Sequence, residues 1–183
     1  MRVAAVLTAL LFAVAACGDD PAVTTPPTTA PADTTTTPEA TMHLTSTAFT
    51  EGSPIPARHT CDGPDLSPPL TIEGLPPGTA ALALIMDDPD APGGTWDHWV
   101  AYDMDPFDTL PEGAAPGTQG RNSWGTTGYR GPCPPGGTHR YFFTVYALDR
   151  PLDLAPGAGK EALHAAMEGR ILARATLMGT FSR

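Results

Sequence analysis

The chain has 183 residues and a formal net charge of −10 at pH 7. This acidity argues against a nucleic-acid partner, because nucleic-acid binding draws on basic surfaces. The C-terminal part shares it, since residues 42–183 hold nine of the ten Lys and Arg and sixteen of the twenty Asp and Glu.

The first segment has the features of an export signal. Met1 and Arg2 precede an almost wholly apolar run that ends at Ala16. The run is shorter than the about 20 residues that a membrane-spanning helix needs, so residues 1–16 are predicted to be a signal peptide. Small residues before Cys17 resemble the lipobox of bacterial lipoproteins, whose cysteine becomes a lipidated (diacylglycerol- and palmitate-bearing) N-terminus. Secretion with a free thiol is the alternative, and both interpretations export the protein.

The segment after the predicted lipidation site is rich in Pro, Thr, Ala and Asp and has Val23 as its only large apolar residue before residue 42. Such a composition cannot bury enough apolar surface to offset the entropy of ordering. Residues 17–41 are therefore predicted to be a disordered tether, extended by its prolines. The expected location is the outer face of the cell membrane, or the periplasmic side or outer membrane of a bacterium with two membranes.

Residues 42–183 have the length of one domain with its own core. Apolar and alternating segments bounded by Pro and Gly predict a mainly β fold of two antiparallel sheets, with one C-terminal helix over a sheet edge or face. The predicted strands are 44–49, 69–72, 81–87, 97–104, 140–148 and 175–182, and the predicted helix is 160–174.

Two cysteines remain in the domain if Cys17 is lipidated. An even pair in an oxidising compartment makes a disulfide between Cys61 and Cys133 possible, with two buried thiols as the alternative. Metal binding is disfavoured because neither cysteine has a partner at a metal-ligand spacing.

Polar side chains cluster at the ends of three predicted strands. Residues two apart in a strand share a face, so His139 pairs with Tyr141 and Trp96 pairs with His98. A third cluster, formed by Asp87, Asp88 and Asp90 in a turn that two prolines make rigid, follows the wholly apolar residues 81–86. Each feature alone is ordinary for a strand end, but together they predict a binding site beside Pro- and Gly-rich loops.

Three segments in this order resemble the ligand-site motifs of phosphatidylethanolamine-binding proteins, in their bacterial, Raf kinase inhibitor-like branch. The segments are Asp88-Pro89-Asp90-Ala91-Pro92, Trp96-Asp97-His98-Trp99, and Gly131-Pro132-Cys133-Pro134-Pro135 leading to His139-Arg140-Tyr141. The resemblance runs from about Thr45 to the end of the chain and leaves the signal and tether outside it.

The resemblance implies two antiparallel sheets with a small anion pocket at one end, and no cofactor or metal. The implied ligand-binding residues are Asp88, Asp90, Trp96, His98, Pro135, His139 and Tyr141. A carboxylate beside two imidazoles favours charged histidine, which donates to phosphate, and a tyrosine hydroxyl adds a donor. An aspartate would meet an amine, as in phosphoethanolamine.

Three functions compete. The favoured one is a non-catalytic binder of small anions or phospholipid head groups, lipid-anchored through Cys17. The second is an interaction module that inhibits an extracellular enzyme such as a protease, with its protein partner unknown. The third is a hydrolase that uses the Asp/His/His set, although the sequence contains no nucleophile elbow, zinc-protease motif or Walker loop.

Overall fold

A computed structural model describes residues 41–183. The predicted signal peptide, Cys17 and the tether up to residue 40 lie outside the described residues. The elements are β1 His43–Thr45, β2 Leu70–Glu73, β3 Ala81–Asp88, β4 Trp96–Met104, β5 Thr109–Leu110, β6 Thr118–Gln119, β7 Thr138–Leu148, α1 Lys160–Met167 and β8 Ile171–Ser182.

The strands form two sheets, one in the order β1-β2-β5 and one in the order β6-β4-β3-β7-β8. Every strand pair within the sheets is antiparallel. The predicted fold class, mainly β with two antiparallel sheets and a C-terminal helix, is therefore confirmed.

The central strand β3 is buried on both faces, which explains why its sequence is apolar throughout and does not alternate. On one face, Leu82, Leu84 and Met86 belong to the larger core cluster. On the other face, Ala83 and Ile85 pack in a second cluster with the apolar side of α1. The helix thus covers the outer face of the large sheet, and β3 is held rigidly between two layers.

The bounds of three predicted elements, the helix, the last strand and the first strand, are wrong. The helix ends at Met167, not near Arg174, because Gly169 has a φ of 69° and leaves the helical conformation, and β8 begins at Ile171. The first strand is His43–Thr45, not 44–49, because Ser46 leaves the pairing pattern. Its hydroxyl donates to the Pro69 carbonyl at 2.6 Å and accepts from the Ala48 amide at 3.1 Å.

Among the described residues, no helix is long and apolar enough to span a membrane.

Candidate functional site

Three strand ends meet at one edge of the large sheet. Strand β3 ends at Asp88, whose register partner in β4 is Trp96, the first residue of that strand. Strand β7 runs antiparallel to β3 on its other side and begins next to the same end. The antiparallel order therefore brings the three predicted polar clusters together.

A β-bulge lies at His98. Met86 and Asp87 are consecutive in β3, but their partners in β4 are Trp99 and Asp97, so His98 is the extra residue. Bulges re-aim side chains and are common beside functional sites. Here the bulged residue is a histidine that is only 3% exposed and lies near the start of β4.

A cleft with a volume of about 260 Å³ opens at this edge. It is lined by Asp88, Ala91, Pro92, Gly93, Trp96, His98, Trp124, Cys133, Pro134, Pro135 and His139. Five of the seven predicted ligand residues are in this lining. The other two, Asp90 and Tyr141, are not part of the lining.

His139 and Asp88 form a buried pair at the base of the cleft. The Nδ1 atom of His139 lies 2.7 Å from Oδ2 of Asp88, and the His139 and Asp88 side chains are 8% and 4% exposed. Oδ1 of the same carboxylate accepts a hydrogen bond from the Asp90 amide at 2.8 Å. With Asp88 ionised, Nδ1 of His139 carries the proton, which leaves Nε2 as the ring nitrogen without a partner among the described residues.

His98 is oriented by the backbone. Its Nδ1 atom lies 2.7 Å from the Arg130 carbonyl oxygen and therefore donates to it. Burial lowers the pKa of His98, and the opposing effects of the backbone hydrogen bonds and of Asp88 are smaller. The nearby carboxylate does favour the charged imidazole, as expected, but burial outweighs it at His98. His98 is neutral at neutral pH, with Nδ1 protonated and the lone pair on Nε2.

Tyr141 lies under the cleft, not in its lining. Its ring is fully buried and meets the His98 ring edge-on at 5.2 Å. Its hydroxyl is buried and makes no hydrogen bond of acceptable distance and angle with any described residue, although the Asp88 carboxylate and the Cys133 backbone lie close enough to affect its pKa. Burial and the nearby Asp88 carboxylate raise the pKa of Tyr141, so the hydroxyl keeps its proton and is an unused donor.

Asp90 points to Arg140 instead of into the cleft. Its carboxylate accepts hydrogen bonds from the Arg140 guanidinium at 2.7 and 2.8 Å and from the Arg140 amide at 2.9 Å. The Arg140 side chain holds the pKa of Asp90 down to about 2. Asp90 therefore fixes the turn after β3 against the start of β7.

A disulfide joins Cys61 to Cys133, with Cα atoms 5.4 Å apart. It connects the loop that carries Pro135 to the turn at Cys61. At Gly131 this loop passes so close to the His59 carbonyl that a Cβ atom would overlap with it, and the Gly131 amide donates to Asp65 at 2.7 Å. The disulfide and this close contact together fix one wall of the cleft.

The sequence interpretation missed Trp124. Its ring lies edge-on to Trp96 at 5.4 Å and to His98 at 4.9 Å. It lies between β6 and β7 in a segment without apolar periodicity, so the tertiary structure alone reveals its position. A tryptophan in a Gly- and Thr-rich loop was the only available signal.

Within residues 41–183, no group of three or more His, Cys, Asp or Glu side chains has an arrangement that would hold a metal ion.

The family model described as "Phosphatidylethanolamine-binding protein" matches residues 45–182. A UPF0098 protein of Methanothermobacter thermautotrophicus is 50% identical over 153 residues, which cover 78% of this chain and 99% of that protein. A UPF0098 protein of Chlamydia muridarum is 47% identical over 149 residues, covering 78% of this chain and 99% of that protein.

Two solved structures have a similar fold. The crystal structure of a phosphatidylethanolamine-binding protein homologue from Chlamydia trachomatis superposes with a TM-score of 0.77 at 44% identity, covering 79% of this chain and 99% of that one. Escherichia coli YbcL, described as a new member of the mammalian family, gives a TM-score of 0.73 at 29% identity, with the same coverage of 79% and 99%. Because almost the whole Chlamydia chain is matched, this region folds there as a unit of its own. The chain therefore belongs to the phosphatidylethanolamine-binding protein family.

Proposed function

We propose that residues 41–183 form a non-catalytic binding domain for small anions or phospholipid head groups of the phosphoethanolamine type. The observation that carries this proposal is the Tyr141 hydroxyl, a buried donor without an acceptor. An unsatisfied buried polar group costs about 1–3 kcal/mol, so a fold that keeps one usually has a use for it. An anion oxygen bound beside His98 and Asp88 would provide the missing acceptor once the floor of the cleft moves enough to expose this hydroxyl, which is covered in the free protein.

The histidines complete the anion site. Protonation of Nε2 on His139 adds a second donor beside its Asp88 partner. His98 offers an Nε2 lone pair when neutral, which suits the hydroxyl of a singly protonated phosphate, and offers a donor when charged. The Asp88 carboxylate already accepts two hydrogen bonds and has further lone pairs for an ammonium group.

The composition of the cleft supports binding over hydrolysis. Among the described residues that line it there is no Ser, Thr or Lys, and its one cysteine, Cys133, is in the disulfide. The lining therefore has no Ser, Thr, Lys or free Cys nucleophile. The hydrolase alternative would require water, the Asp88 carboxylate or a histidine as the nucleophile.

We also propose that Cys17 anchors the chain to the outer face of the membrane and that the residues up to 41 act as its tether. The proposal rests on the small residues before Cys17 and on the Pro- and Thr-rich composition after it. Cys17→Ser should abolish incorporation of radiolabelled palmitate and move the chain from the membrane to the soluble fraction. Unchanged labelling in Cys17→Ser would refute the anchor.

Calorimetric titration of a fragment of residues 41–183 with phosphoethanolamine, inorganic phosphate and acetate tests the binding function. Saturable binding is expected, and His139→Ala should weaken it by at least about tenfold, since it removes a charge-assisted donor worth about 1.5–3 kcal/mol. The matched control is His164→Ala, because this exposed histidine lies on α1 away from the cleft. Equal affinity in His139→Ala and the wild type would refute the site, and no binding of any anion would favour a protein partner.

A further inference from the structure

The cleft has a polar floor and an apolar wall. Among its eleven lining residues, the side chains that can carry charge are Asp88, His98 and His139. The others form what we call the apolar wall: Ala91, Pro92, Gly93, Trp96, Trp124, Pro134, Pro135 and the disulfide-bonded Cys133. A bare phosphate ion would use the floor alone and leave this wall in water.

The two tryptophans dominate the apolar wall. Trp96 is 36% exposed, and among the described residues the other exposed large hydrophobic side chains are Ile171 and Leu172, which do not line the cleft. Trp96 meets Trp124 edge-on at 5.4 Å, and Trp124 meets His98 at 4.9 Å. The apolar surface is therefore continuous with the polar floor.

Trp124 is held in place by the loop around it. The Arg130 guanidinium lies 4.6 Å from the centre of its ring. The Trp124 amide donates to Oδ1 of Asn122 at 3.1 Å, and Asn122 is itself buried. A wall that is already ordered binds a ligand at a lower entropy cost than one that must be ordered on binding.

We propose that Trp124 and Trp96 select an anion that carries a short apolar substituent, such as an organic phosphate ester, over an anion without one. This inference rests on the proposed function and names the ligand class of the same cleft. The cleft volume of about 260 Å³ lies below the range of about 300–1,000 Å³ of drug-sized ligand sites. The substituent is therefore one ring or a few carbons, and long acyl chains would remain outside.

The test compares methyl phosphate with phenyl phosphate at pH 7.5, where both are mainly dianions because the second pKa of a phosphate monoester is about 6. The protein is the fragment of residues 41–183, and the method is calorimetry. Phenyl phosphate should bind about tenfold more tightly, since the ring removes on the order of 60 Å² more apolar surface from water. In Trp124→Ala this preference should fall to about twofold or less, whatever the accompanying change in the affinity for methyl phosphate.

Leu172→Ala is the matched control, since it removes an exposed apolar side chain outside the cleft and should keep the full preference. Trp96→Ala tests the same wall at a more exposed position and should also reduce the preference, so the inference stays testable if Trp124→Ala does not fold. Dihexanoyl phosphatidylethanolamine distinguishes the source of the ester. Tighter binding than glycerophosphoethanolamine, which has the same head group and phosphate charge but no acyl chains, supports a lipid head group, and equal binding of the two supports a free phosphate ester.

Equal binding of methyl and phenyl phosphate by the wild type would overturn the inference and leave the anion site intact. An equal loss of affinity for both esters in Trp124→Ala and in Trp96→Ala would also overturn it, since the tryptophans would then shape the floor and not select the substituent. Binding of neither ester, nor of phosphoethanolamine, would instead refute the proposed function on which the inference rests.

Discussion

Asp87 and Asp88 are neighbours at the end of β3, and both carboxylates have partners, but they lie in different surroundings. Asp87 belongs to a satisfied cluster on the outer face, where Lys160 donates to it at 2.9 Å and to Asp97 at 2.6 Å. Burial opposes the charge of Lys160, but these hydrogen bonds outweigh it and raise the pKa of Lys160. Asp88 pairs with His139 and lies close to the Tyr141 hydroxyl, which has no partner of its own. Both faces thus carry charged residues, and the unused hydroxyl donor of Tyr141 is what distinguishes the site.

The largest expected effect is on stability, at the satisfied cluster. Lys160→Met should lower the free energy of unfolding by about 2 kcal/mol, because it leaves the directly paired Asp87 and Asp97 as unbalanced like charges. The value is below that of a fully buried pair, since the three side chains are 13–27% exposed. Urea denaturation measures it.

A triple variant with Asp87→Asn and Asp97→Asn added to Lys160→Met should recover most of that loss, because no unpaired charge remains. Phosphate affinity should stay within about twofold of the wild type in both variants, since the cluster lies outside the cleft. A loss of phosphate affinity in these variants would show that the two faces of the large sheet are coupled, and it would contradict the contrast drawn between Asp87 and Asp88.

Tyr141→Phe should have the opposite profile. Removing a buried hydroxyl without a partner should leave the free energy of unfolding unchanged or raise it by up to about 1 kcal/mol. The affinity for phosphate should fall about tenfold, because the variant removes a donor to the anion. Denaturation and calorimetry on the same variant measure both quantities. A stability loss above about 1 kcal/mol would mean that the hydroxyl has a partner in the free protein.

The strands that carry the site were predicted from the sequence more accurately than the segments around them. The observed β3, β4 and β7 differ from the predicted strands 81–87, 97–104 and 140–148 by at most two residues at either end. Their long apolar runs identify them because both faces of the central strand are buried. The two-residue strands β5 and β6 were not predicted, since segments this short have no periodicity to detect.

The site was predicted in part for a similar reason. Strand periodicity grouped Trp96 with His98 and His139 with Tyr141, because residues two apart share a face. The family resemblance assigned Asp90 to the ligand, whereas its carboxylate pairs with Arg140, since charge alone does not show which partner a turn residue meets. Trp124 and the lowered pKa of His98 depend on loop packing and burial, which have no local sequence pattern.

The smallest expected effect is a pH dependence that links the stability of the fold to anion binding through the protonation of His98. Because burial lowers its pKa below the usual value of 6.5, the unfolded chain binds a proton that the folded protein does not, and stability falls as the pH drops below about 6.5. A bound anion favours the charged imidazole, so sulfate, whose own charge is constant in this range, should raise the melting temperature more at pH 5.5 than at pH 7.5. Sodium chloride at equal ionic strength is the control for general salt effects. In His98→Gln the extra rise in melting temperature that sulfate gives at pH 5.5 should become smaller. An undiminished rise would show that another group takes up the proton. His139, which lies beside Asp88, would then be the first group to test by the same melting curves.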